Sequence, residues 1–342
     1  MRASTHRHIV VLGDGGWGTT LAIHSYRLGH RVTLWGAFAD YVRVLDHRRQ
    51  NPRFLPGIRI PARIRITADL AEAWAGADLA ILAVPSQYLR AVVRRVARLP
   101  RSTSRIVSVA KGIERGSLKL MSTVITEELG AVKLAILSGP NISSEIAKGQ
   151  PASSVVAARD LHVAHEVQRA LMSETFRLYT SRDLLGVQLG GALKNPIAIA
   201  AGIADGLGFG SNAKAALVTR GIVEMARLGV AMGAKEDTFW GLSGLGDLVT
   251  TCLSGRNHWL GEQLGRGRSL AYVLRSTPMV IEGVETAKAA VVLGRRHRVE
   301  LPIIEQVHAI LFHRRVPRHA LRALMRRAGK SETGSSVPSV SM

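Results

Sequence analysis

The chain has 342 residues, 46% of them hydrophobic, which supplies core for about two domains and excludes a wholly disordered protein. Its single cysteine, Cys252, excludes an internal disulfide framework and a multi-cysteine zinc site. The formal charge of +21 raises the question of an anionic partner, but arginines recur at helical spacing (Arg90, Arg94, Arg95 and Arg98; Arg318, Arg322, Arg326 and Arg327) and aromatics are only 5%, so solvated helix faces are expected and a nucleic-acid partner is disfavoured.

In chain order, HIVVL at residues 8–12 predicts a short buried strand. The basic start before it does not lead into an apolar signal core, because glycines and Asp14 interrupt at once. No apolar run approaches the roughly 20 residues that span a bilayer, so a cytoplasmic protein is expected. A glycine-rich turn follows, then helical spacing through Leu21, Ala22 and Leu28, ended by Gly29. RVTLW at 31–35 predicts the next strand and completes a βαβ unit. LAILAVP at 79–85, RIVSVA at 105–110 and KLAILSGP at 133–140 each end in a turn and alternate with helical patterns, which predicts a mostly parallel sheet covered by helices.

After about residue 185, alanine, glycine and leucine dominate and the apolar spacing turns helical. RSTPMVIEGVETAKAAVVLGRR, LPIIEQVHAILF and PRHALRALMRRAG predict successive helices separated by proline and glycine breaks. The expected division is therefore 1–185 and 186–330, with a polar tail over 331–342 predicted to be disordered.

Gly13, Gly15 and Gly18 stand at G-x-G-x-x-G spacing between a predicted strand and a predicted helix. The first permits a tight turn, the second lets backbone approach a pyrophosphate, and the third lets helix and strand pack closely. Dinucleotide binding is the expectation, a plain structural turn the alternative. An acidic residue ending the second strand would mark NAD. The chain has Trp35, Gly36 and Ala37 there, with Asp40 and Arg43 further on, so NAD and NADP both stay open.

Hydride transfer at an alcohol carbon needs a proton donor and acceptor, and benefits from a second positive group. Lys111 follows a strand at the edge where ligands of open α/β sheets bind. Lys194 lies in the apolar segment LKNPIAIAAG, where desolvation would lower its pKa, although a snorkelling lysine is the alternative. GLSGLGDLVTTCLSGRN brings Asp247, Thr251, Arg256 and Asn257 together in sequence, with Asp247 able to orient a lysine or a hydroxyl and Arg256 with Asn257 able to hold a phosphate. Taken singly, Asp247 also reads as a helix cap and Arg256 as a surface ion-pair member. The closest histidine pairs, His6 with His8 and His162 with His165, lack further ligands at zinc spacing, so no metal is expected.

The combination resembles bacterial NAD(P)-dependent glycerol-3-phosphate dehydrogenase from about residue 8 to about residue 312. The matching segments run in order: VLGDGGWGTTLA, NPRFLPG, LAVPS, AKGIE, LSGPN with EIAKGQP, GVQLGGALKN, AIAAGIADGLGFGSNAKAALVTRG, GLGDLVTTC with GRN, IEGV and LPIIEQV. The resemblance implies an α/β fold, an N-terminal Rossmann-type parallel-sheet domain followed by an all-α C-terminal substrate domain. It implies NAD- or NADP-linked interconversion of dihydroxyacetone phosphate and glycerol 3-phosphate, with Lys194 as the catalytic proton acceptor and Lys111 touching cofactor and substrate. Gly16 and Trp17 would join the dinucleotide loop, and Ser143, Arg256 and Glu282 would lie beside the cofactor. Gly139, Asn141, Lys194, Asp247, Arg256 and Asn257 would contact substrate. The chain departs from the family pattern at Gly255, Ser143, Ala37 and Pro196, where serine, alanine, a basic residue and a residue other than proline are usual.

Two rival readings accompany this one: a related dehydrogenase of hydroxy acids or sugar acids, and a basic non-enzymatic protein that binds nucleic acid or anionic membrane. A homodimer is the usual expectation for a soluble oligomer. Weak peripheral membrane contact is compatible with the enzyme, whose product feeds lipid synthesis.

Overall fold

The structure is a computed structural model that describes residues 6–103 and 105–327. The tail at 331–342 lies outside the described residues. Among the described residues there are ten strands: β1 His8–Leu12, β2 Arg31–Trp35, β3 Gln50–Asn51, β4 Leu55–Arg59, β5 Arg65–Thr67, β6 Leu79–Leu82, β7 Arg105–Ser108, β8 Lys133–Ser138, β9 Ala152–Ala157 and β10 Phe176–Ser181. Eight form one sheet in the order β10-β9-β8-β7-β6-β1-β2-β5, and β3 with β4 makes a separate ribbon. Every ladder of the large sheet is parallel except β8 with β9.

Burial explains why β1 and β2 are readable from apolar runs alone. Ile9, Val11, Leu34 and Ile81 pack on one face with Leu21 and Ile23, while Val10, Leu12 and Leu82 pack on the other with Leu89 and Val93. Both faces of the central strands are covered by helices, so no polar residue need alternate. The strands that apolar runs do not reveal are shorter or more polar: β5 has three residues, β9 reads ASSVVA, and β10 alternates buried Phe176 and Leu178 with exposed Arg177 and Tyr179.

From Leu184 onward the described chain is helical. Helix Leu184–Gly206 is the axis, and helices Ser211–Ala231, Asp247–Leu253, Arg256–Gly265, Glu282–His297 and Pro302–Phe312 pack against it. Helices Leu184–Gly206 and Arg256–Gly265 cross on glycine. A Cβ at Gly202 would overlap the His258 carbonyl oxygen, and one at Gly261 would overlap that of Ile199. Small residues here let the two backbones touch, which holds Asn257 close to Asn195.

Pro196 lies inside helix Leu184–Gly206, which continues although the ring nitrogen cannot donate to the Ala192 carbonyl. The same 23-residue helix is also long and apolar enough to cross a bilayer, against the expectation that no segment would be. Alanine, glycine and isoleucine make it so, and 83% of its apolar window is buried inside the protein, as suits the axis of a bundle.

Candidate active site

The glycine turn joins β1 to helix Gly16–Arg27 at the carboxyl edge of the sheet. Gly13 has φ +120 and donates to the Trp35 carbonyl at 2.9 Å, so the first turn residue ties β1 to β2. Gly18 packs on Gly13, where a side chain would overlap the Gly13 carbonyl oxygen. Gly15 is the N-cap of the helix, has no side-chain cap, and a Cβ there would meet nothing within 4 Å. Open space in front of uncapped helix N–H groups is what a pyrophosphate requires. Gly16 instead faces the Phe54 carbonyl oxygen. The NPRFLPG ribbon thus folds over the turn, and Asn51 Nδ2 pins it by donating at 2.8 Å to the Asp14 carbonyl and to Thr19 Oγ1. Trp17 Nε1 is buried and unpartnered. These features fit a dinucleotide. Ser143 begins helix Ser143–Ala147, and its carbonyl accepts from Thr20 Oγ1 at 3.0 Å, which places it against the turn's helix.

Across from this edge lies a buried ionic cluster. Lys194 Nζ donates to Asp247 Oδ1 and, at 2.6 Å, to Thr251 Oγ1. Lys111 Nζ donates to Asp247 Oδ2 at 2.6 Å and to the Gly139 carbonyl at 2.8 Å. One carboxylate therefore spans two lysines drawn from different layers of the fold. Asp247 is 1% exposed, so it is too deep to be a solvent-facing cap. A π-turn at Leu242–Gly246 leads directly into the helix that Asp247 begins, and such turns are frequent at functional sites.

Burial lowers the Lys194 amine to about 8, and the Asp247 charge opposes that shift without cancelling it. This is no snorkelling lysine, because its side chain is 8% exposed. Cys252 stands nearby, but burial pushes its thiol up to about 12, so it stays neutral and does not compete for the proton.

Gly139 has φ +152, and a Cβ there would lie 2.9 Å from Ser154 Cα, so only glycine lets the strand end turn toward Lys111. Asn141 accepts from Ser154 Oγ at 2.5 Å through its amide oxygen, which leaves its buried Nδ2 without a partner. A second lining is built on Asn257. Its Nδ2 donates to Asn195 Oδ1 at 2.9 Å, and its Oδ1 accepts from Gly283 N at 2.9 Å. Arg256, exposed at the start of its helix, uses one nitrogen on the Val280 carbonyl at 3.0 Å. Gly255 caps that helix with no side-chain hydrogen bond, so its first N–H groups and the rest of the guanidinium are open to an anion.

Glu282 joins the two lobes. Its Oε1 accepts from Ser86 N at 2.8 Å and its Oε2 from Ser86 Oγ, while a Cβ at Gly112 would lie 2.9 Å from Oε2. Asn195 and Ser86 are the partners that motif reasoning misses. Asn195 reaches toward the Lys111 carbonyl at 3.4 Å, and its only sequence signal is adjacency to Lys194. Among the described residues no group of three histidine, cysteine or acidic side chains could hold a metal ion.

A mostly parallel sheet with a glycine turn at its carboxyl edge, set against a helical region bearing a buried lysine and carboxylate, defines a nicotinamide-dependent dehydrogenase. Family models described as the N-terminus and the C-terminus of NAD-dependent glycerol-3-phosphate dehydrogenase match residues 8–164 and 183–322. The chain is 46% identical over 329 residues to glycerol-3-phosphate dehydrogenase [NAD(P)+] 2 of Salinibacter ruber, covering 95% of this chain and 96% of that one. It is 48% identical to the Syntrophotalea carbinolica glycerol-3-phosphate dehydrogenase [NAD(P)+], covering 95% and 99%. A crystal structure of glycerol-3-phosphate dehydrogenase from Coxiella burnetii superposes with a TM-score of 0.90 at 36% identity, covering 94% and 100%. The chain belongs to the NAD(P)-dependent glycerol-3-phosphate dehydrogenase family and is an oxidoreductase, which removes the hydroxy-acid and the non-enzymatic readings.

Proposed function

We propose that Lys194 gives and takes the hydroxyl proton as this dehydrogenase interconverts dihydroxyacetone phosphate and sn-glycerol 3-phosphate. The observation that carries the reading is a buried amine, lowered to about 8, held on one carboxylate with a second lysine. A bound nicotinamide supplies or accepts the hydride. Lys194 protonates the oxygen of the forming alcohol, and Lys111 sets positive charge beside it. Asp247 orients both amines. Asn141, with a free Nδ2 and its oxygen already used, offers a donor to a substrate oxygen.

Arg256, Asn257 and the open helix start behind Gly255 hold the phosphate in this proposal. The serine usual before the arginine is replaced by glycine, and backbone N–H groups serve where its hydroxyl would. Glu282 keeps its carboxylate on Ser86, so its part beside the cofactor is to hold the β6 loop in position. Gly13, Gly15, Gly16, Trp17 and Gly18 receive the dinucleotide, with Ser143 beside them.

The two-domain division at 185/186 belongs to the same proposal and is supported by the family matches at 8–164 and 183–322. So do a cytoplasmic location and a role in supplying the glycerophospholipid backbone. A homodimer is supported by the prevalence of two-fold symmetry and by the exposed apolar side chains Trp240 and Leu253. Arg318, Arg322 and the exposed Met325 support weak membrane contact. The deciding assay follows NADH and NADPH oxidation with dihydroxyacetone phosphate and with dihydroxyacetone. Turnover that needs the phosphate supports the reading, and equal turnover of both ketones overturns it.

A further inference from the structure

We infer that Asp14 makes this enzyme favour NAD over NADP, an inference that rests on placing the dinucleotide at the glycine turn. In open α/β sheets of this kind the adenosine ribose lies outside the carboxyl end of β2, where an acidic side chain binds the ribose hydroxyls and a basic one receives a 2′-phosphate. The residues at the end of β2 offer neither, although the Arg95 guanidinium lies 5.6 Å from the Trp35 ring centroid. Trp35 is buried and gives its Nε1 to the Ala68 carbonyl, Gly36 has no side chain, and Ala37 is exposed. Arg43, the first basic residue after the strand, is paired with Asp40 on the exposed face of the next helix.

The carboxylate comes instead from the glycine turn itself. A Cβ at Gly36 would overlap Asp14 Oδ2 and lie 2.8 Å from Asp14 Cγ, so the missing side chain at 36 is what gives Asp14 room to lie over the end of β2. Two separate features of the sequence, an acid inside the glycine motif and a bare strand end, thereby become one site.

Asp14 Oδ2 is buried and accepts no hydrogen bond from the protein. The nearby Tyr41 hydroxyl is turned away and donates to Asn51 Oδ1 at 2.6 Å. Burial holds the Asp14 carboxyl above its ordinary range, and a hydrogen bond from its own backbone N–H only partly opposes this. In a chain of net charge +21 this is a local reversal of sign at an acceptor short of donors. A ribose with free hydroxyls brings donors to the exposed part of this half-buried carboxylate. A 2′-phosphate brings like charge into a partly desolvated place, where repulsion is poorly screened.

The test is direct binding to the unliganded protein, with NADH and NADPH titrated separately by calorimetry into wild type, Asp14→Ala and Asp14→Asn. The expected result is a wild-type preference for NADH of about tenfold or more, lost largely in both variants, with most of the change in NADPH affinity. Asp14→Asn keeps the shape and removes the charge, so it reports even if Asp14→Ala folds poorly. Equal wild-type affinities, a preference for NADPH, or an unchanged ratio in a folded Asp14→Asn protein would overturn the role of Asp14. Failure of the wild type to bind either nucleotide would overturn the placement of the dinucleotide, and the inference with it.

Discussion

Lys111 and Lys194 hold opposite oxygens of Asp247, the first at 2.6 Å on Oδ2 and the second on Oδ1. The first lysine follows β7 of the sheet, and the second sits on the axial helix of the other lobe. The carboxylate is thus a clamp between lobes, and its charge partly offsets the burial that lowers the Lys194 amine.

Lys194→Ala removes the only amine in this cluster that is also hydrogen-bonded to Thr251. Turnover should fall by about two to four orders of magnitude, as for loss of a positioned acid or base. NADH affinity, measured by fluorescence titration, should change less than about threefold, because the glycine turn is untouched. Near-normal turnover would take Lys194 out of the mechanism.

The pH dependence follows from an amine held at about 8. Below that pH Lys194 is protonated and can donate, so kcat/KM for ketone reduction should be flat and then fall as pH rises through about 8. Alcohol oxidation needs the neutral amine and should show the mirror image, falling as pH drops below about 8. Asp247 raises the Lys194 pKa, so Asp247→Asn should move both limbs to lower pH. Profiles in the two directions that do not mirror each other would argue against one shared proton site.

Arg256→Ala should raise the KM for dihydroxyacetone phosphate by roughly ten- to a hundredfold, the scale of a lost charge-assisted contact. The cofactor KM should move much less. Steady-state kinetics with each substrate varied in turn distinguishes a phosphate grip from a general disturbance, which would raise both constants together.

Gly202→Ala inserts a methyl into a contact between two helix backbones, at the His258 carbonyl. Overpacking of this kind costs about 1–3 kcal/mol, to be read from the urea midpoint. The shift should also loosen the Asn195 and Asn257 pair, so the substrate KM should rise in the same variant.

The glycine turn and the first βαβ unit were legible because their signals are local. HIVVL and RVTLW became β1 and β2 with the predicted bounds, and the helix between them ends at Arg27, just before Gly29. Strands β9 and β10, the last two of the sheet in chain order, were not legible. Half of their side chains face polar surroundings, and the antiparallel turn from β8 to β9 leaves no periodic mark. Lys194 could be chosen as a candidate from its apolar setting, but Thr251 as its second partner could not.

Local order along the chain suffices for alternating strands and helices, the glycine turn and the apolar setting of Lys194, since each depends on neighbours a few residues away. Contacts between distant residues depend on how the layers close. Asp247 lies 136 positions from Lys111 and 53 from Lys194, Glu282 lies 196 from Ser86, and no pattern over a single turn or strand encodes such a meeting. Packing brings them together, and the same packing removes the water that would otherwise leave Lys194 an ordinary amine.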